Sequence, residues 1–134
     1  MRLASALTAA FLATPATADE VWTSMMGDIV YAAEENGAAI FTFTNFDAYP
    51  ARLVIPGLAG NYSNRGTHEA FWLGGGSGTC PAFMTIAGDE YSTTDWGRAV
   101  IAFDKPAFPT SFTVTIGWCF EEPRESFRGE TTAK

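Results

Sequence analysis

The stretch DIVYAAEENGAAIFTFTN, residues 28–45, carries the strongest structural signal in the chain. It sets Asp28 to Glu35 and Ala38 to Asn45, two apolar-rich segments, on either side of Asn36-Gly37. An Asn-Gly pair in that setting marks a tight hairpin, because both residues tolerate the positive φ that a two-residue turn demands. In the second arm Phe41 and Phe43 alternate with Thr42 and Thr44, the period of two expected of a strand with one buried face.

Working outward from the hairpin, the same pattern recurs. Val21 to Met26, Ala51 to Ile55, Thr67 to Leu73, Ala82 to Ala87, Gly97 to Asp104 and Ser111 to Phe120 each read as strands. Turn chemistry separates several of them, notably Pro56-Gly57, the glycine-rich Gly74 to Gly78, and Lys105-Pro106. Ser111 to Phe120 alternates most regularly, placing Phe112, Val114, Ile116, Trp118 and Phe120 on one face. Phe41, Phe43, Phe83, Phe103, Phe112 and Phe120 fit a core. No segment has a helical period. The chain is therefore expected to be all-β, an antiparallel β-sandwich of about seven or eight strands, with a small closed β-barrel as the alternative.

Residues 1–18 read as an export signal. Arg2 precedes a weakly apolar run from Leu3 to Ala13, and Ala16-Thr17-Ala18 forms a small-residue cleavage site. Cleavage there leaves a single β domain over residues 19–121 and a polar C-terminal tail over residues 122–134, expected to be loosely ordered. The expected location is periplasmic or secreted. Without Arg2 the formal net charge moves from −7 to −8, and a chain this acidic is a poor partner for nucleic acid or an anionic membrane surface. The run before Ala18 is too short to span a bilayer, and no later stretch approaches the roughly 20 apolar residues that spanning needs.

The two cysteines, Cys80 and Cys119, are expected to pair as a disulfide in an oxidising compartment. On a chain-entropy estimate the loop they close contributes about 4 kcal/mol. They lack the close Cys-x-x-Cys spacing of a redox pair.

Signals for catalysis are sparse. His68, beside Glu69, is the only histidine, so it is the weak catalytic candidate and the base of any imagined triad with Ser77 and Asp95. Gly75-Gly76-Ser77-Gly78 lacks the spacing of a nucleophile elbow, and Gly74 to Gly78 lacks the Lys-Ser/Thr of a phosphate loop. Asp89, Glu90 and Asp95 are weak candidates for Ca²⁺ in an acidic, hydroxyl-rich loop, but the spacing of a calcium loop is missing, and no cofactor is otherwise suggested. Carboxylates adjacent on a strand point to opposite faces, which argues against a glycosidase pair.

Aromatics in turn-like surroundings remain. Tyr49, Tyr62, Tyr91 and Trp96, with Arg65 and Arg98 as polar companions, suit contacts to a protein or a sugar. The alternatives are that the rings plug the ends of the fold and that the arginines pair with carboxylates. The functional expectation is a small exported acidic binding protein contacting a cell-envelope protein or glycan through loops, for example as an inhibitor or accessory subunit of a basic envelope enzyme. The competing readings are a secreted hydrolase or metal-dependent enzyme using His68, and a structural envelope component acting through exposed strand edges.

Overall fold

A computed structural model describes residues 20–43, 51–75, 78–85 and 92–133. The expected signal at residues 1–18 lies outside this set, as do Tyr49, Ser77, Asp89, Glu90 and Tyr91. The described residues form ten strands, in chain order β1 (Val21–Thr23), β2 (Ile29–Glu35), β3 (Ala38–Phe43), β4 (Arg52–Pro56), β5 (Thr67–Leu73), β6 (Met84–Thr85), β7 (Ser92–Thr93), β8 (Trp96–Phe103), β9 (Phe112–Ile116) and β10 (Glu125–Thr131).

Eight of them form a closed antiparallel barrel in the order β9-β10-β1-β2-β3-β4-β5-β8, with β8 returning to β9. The all-β expectation holds, and of the two architectures the barrel is the one formed. The β6–β7 hairpin is a separate two-stranded excursion between β5 and β8. Asn36 and Gly37 take φ values of 52° and 83°, as the tight turn between β2 and β3 requires.

Residues that face each other across a ladder share a side of the sheet, so the register shows how the interior fills. Phe41 opposes Leu53, Leu53 opposes Trp72, Ala70 opposes Ala99, Ile101 opposes Val114, and Trp22 opposes Ile29. Every one of these points inward. The central stack is aromatic: the Trp22 and Phe41 rings lie 4.8 Å apart and stacked, and Phe112 meets Trp22 edge-on at 4.9 Å.

Two expectations are corrected here. Residues 122–134 are not a loose tail, because Glu125–Thr131 forms β10 and supplies the strand that closes the barrel. Its polar composition hides it. Ser126, Arg128 and Glu130 face outward, where Arg128 holds Asp104 through two contacts at 2.7 and 2.8 Å and Glu130 at 3.1 Å. On the inward side Phe127 and Gly129 lie between Glu125 and Thr131 at the strand ends, and the space a side chain would need at Gly129 is taken by the ring of Phe112.

The second correction concerns the strand expected from Ser111 to Phe120, which ends at Ile116. Cys119 adopts φ 57°, which breaks the alternation. Trp118 and Phe120 are consequently not core residues, being 43% and 65% exposed, and Phe83, also expected inside, is 74% exposed.

An alanine at Gly129 would drive a methyl group into the Phe112 ring. Gly129→Ala should cost about 1–3 kcal/mol in chemical denaturation, the usual range for overpacking. An unchanged midpoint would show that Gly129 is not part of the packed interior.

Candidate functional site

The two ends of the barrel differ. At one end the connection from β4 to β5 folds across the opening. Leu58 is fully buried there, and Tyr62 packs partly buried against the central core. Arg65 is completely buried and meets Glu20 through two bonds of 2.9 and 2.8 Å. Its guanidinium lies over the rings of Tyr62, Phe103 and Phe108 at 5.0, 5.3 and 5.9 Å. The indole N–H of Trp22 donates to the Thr110 carbonyl at 2.8 Å. Tyr31 donates its hydroxyl to Glu34 at 2.5 Å, and burial, more than that bond, holds the phenol well above its ordinary range. Every feature at this end closes it.

Among the described residues nothing seals the opposite end. Between the end of β5 and the start of β8, and across to β9 and β10, lies a cavity of about 490 Å³. Met26, Phe43, Ala51, Leu53, Val114, Ile116 and Phe127 form its floor and walls, with Trp72, Trp118, Gly74, Gly75 and Asp95 toward the rim. Trp72 is fixed: its indole N–H donates to the Gly117 carbonyl at 2.6 Å, and its ring fills the space opposite Gly97, where a side chain would collide with it. Trp118 meets Trp72 edge-on at 6.4 Å. Met25, in the β1–β2 turn at this end, is among the most exposed apolar side chains.

Asp95 is the one charged residue among the described residues that line the cavity. Its carboxylate lies against the α-carbon of Gly74, where a methyl group would collide with Oδ2. Burial raises its carboxyl above its ordinary value, and no cationic side chain stands among the described residues that line the cavity with it.

The disulfide forms as expected, Cys80 to Cys119, with Cα atoms 5.3 Å apart. It pins the segment after the glycine-rich loop to the β9–β10 connection beside the open end. Under that staple lies a small second core on the outer wall, made of Ile40, Leu73, Cys80 and Trp96. For Trp96 the covered alternative is the one formed. It does point away from the barrel interior, but the stapled segment covers it, its indole N–H donates to the Ala82 carbonyl at 2.8 Å, and it is 2% exposed.

The candidate residues named from the sequence therefore separate. Tyr62 and Arg65 come together, at the sealed end, with Arg65 taking the ion-paired alternative. Arg98 and Trp96 lie at the other end, where Arg98 donates to the Phe120 carbonyl at 3.3 Å. His68 hydrogen-bonds through Nε2 to the Arg65 carbonyl and belongs to the sealed end, whereas Asp95 lines the open cavity, so the imagined triad is not assembled. Among the described residues no cluster of three His, Cys, Asp or Glu could hold a metal ion. The cavity itself went unread in the sequence. Its walls are ordinary inward strand positions, and the alternation that predicts burial does not tell a filled interior from an unfilled one. The chain matches no protein-family model, no curated protein and no solved structure.

Asp95 carries a pH prediction. A carboxyl whose folded pKa is raised opposes folding once it ionises, so its penalty is absent at low pH and is incurred as pH rises from the ordinary aspartate range through the raised value. Asp95→Asn should raise the melting temperature at neutral pH and leave it unchanged at acid pH. Equal melting of the two proteins at neutral pH would refute the burial penalty.

Proposed function

We propose that this is a small exported binding protein that takes its ligand into the open end of the barrel. One observation carries the reading: among the described residues the barrel is plugged at one end and opens at the other onto an apolar cavity of about 490 Å³. Eight strands enclose an interior wide enough to be filled by side chains or to hold one small ligand, and this chain does the first at the sealed end and leaves room for the second at the other. The volume falls in the range of small-molecule sites, roughly 300–1,000 Å³. The signal pattern of residues 1–18 and the disulfide support export, to the periplasm or outside the cell.

A protein partner is the second reading. Phe83 and Phe120 are exposed on the outer wall beside the disulfide, with Phe120 edge-on to Trp96 at 5.0 Å, and exposed apolar groups of this kind mark contact surfaces. Together with the formal charge of −7 they favour a basic envelope protein, as an inhibitor or accessory subunit would contact. The glycan reading loses support because Tyr62 and Arg65 are built into the sealed end. The enzyme reading rests on His68, which hydrogen-bonds to the Arg65 carbonyl at the sealed end and is not among the residues that line the cavity. A role through free strand edges has little basis in a closed sheet, which has none within the barrel.

The neutral apolar dye Nile red should bind the folded protein and brighten, and Ala51→Phe, which places a ring in the cavity, should abolish that signal while the near-ultraviolet circular dichroism stays native. Undiminished binding by Ala51→Phe would place the apolar site elsewhere.

A further inference from the structure

We propose that the cavity's ligand is a small cationic amphiphile, an ammonium group on an apolar body, with Asp95 holding the ammonium and Trp72, Trp118 and Phe127 flanking the body. This deepens the preceding reading and rests on it.

The walls set the class of the body. They present aliphatic and aromatic surface, and the one indole N–H known to be committed there, that of Trp72, already donates to Gly117. The ring therefore offers the cavity a π-face and not a hydrogen-bond donor. Aromatic faces attract cations, most of all quaternary ammonium groups shielded from water.

The charge of the head follows from Asp95. No Lys, Arg or His stands among the described lining residues, so an anionic headgroup would meet a carboxylate with nothing to neutralise either charge. A neutral headgroup would leave the carboxylate as poorly solvated as before. A cation supplies a counter-charge that none of the described lining residues offers. Asp95 is held ready for one: its backbone N–H donates to the Thr93 hydroxyl at 2.9 Å, its carbonyl accepts from Gly74 N–H at 2.7 Å, and the missing side chain at Gly74 makes room for the carboxylate. A carboxylate whose ionisation burial disfavours, and which a bound cation would pair, fits the expected trade between stability and function. The chain's negative charge also raises the local concentration of cations.

Isothermal titration of the disulfide-intact protein with decyltrimethylammonium, decanol and decyl sulfate, each below its micelle concentration, separates the possibilities. The ammonium should bind roughly tenfold more tightly than the alcohol, about 1.4 kcal/mol, and the sulfate most weakly. Asp95→Asn should abolish the preference for the cation while still binding decanol, and Asp95→Glu should keep it. Equal binding of all three overturns the assignment of a cation and leaves the apolar site standing. Binding of none overturns both this inference and the reading it rests on. A preference that survives Asp95→Asn removes Asp95 from the site, and Trp118→Ala with unaltered ammonium affinity removes the aromatic wall.

Discussion

Glu130 opposite Thr23 and Thr131 opposite Trp22 are the two ladder positions at which the sheet meets itself. Through them a curved meander becomes a barrel, and the backbone groups of β1 and β10 that would otherwise face water as free edges are paired. The seam is short, and neighbouring contacts reinforce it. The Tyr31 N–H donates to the Glu20 carbonyl at 2.9 Å, and the Glu20 carboxylate is the partner of buried Arg65. Breaking such a pair from one side strands a charge in the interior, at a typical cost of 3–5 kcal/mol. The chain entering the barrel is thus tied to the strand that closes it and to the plug at the sealed end.

The asymmetry of the two ends follows from where the large side chains are spent. Trp22, Phe41, Phe103 and Phe112 crowd the middle and the sealed end, and small residues such as Ala70, Ala99 and Gly129 face them so that the rings fit. Toward the other end the inward residues do not reach the axis, and the interior opens into the cavity. The disulfide lies outside the barrel wall at that end, holding a flap of chain over Trp96 and fixing the β9–β10 connection that carries Trp118. Its position makes it a brace for the rim as well as a staple for the unfolded chain.

Much of this was readable in advance. The Asn36-Gly37 hairpin, the extent of β5 and the cysteine pair follow from local chemistry that the tertiary structure does not override. What escaped did so for physical reasons. Strand β10 carries one large apolar residue, Phe127, because the ring of Phe112 fills the place its own side chain would take at Gly129. A strand whose packing is supplied by its neighbour has no hydrophobic signature of its own. Sandwich and barrel share the same alternation and differ only in whether first and last strands meet, which no local window reports. Phe120 is exposed and Trp96 covered because burial on the outer wall depends on a flap held by a bond between residues 39 apart in sequence. Of the site, Asp95 was noticed as a calcium or triad candidate, and not as a wall of the cavity it lines. Its significance comes from the apolar walls around it, contributed by strands distant in the chain.

The four tryptophans provide the most direct test of a barrel sealed at one end and receptive at the other. Trp72 and Trp118 line the open cavity, Trp22 lies in the central core with its indole N–H bonded toward the sealed end, and Trp96 is covered on the outer wall. Following the four indole N–H resonances by NMR while decyltrimethylammonium is added reads all of these places in one experiment. The account predicts that the Trp72 and Trp118 signals shift and saturate together while those of Trp22 and Trp96 stay in place. Saturable shifts of Trp22 or Trp96 alone, or no shift of any of the four, would contradict it.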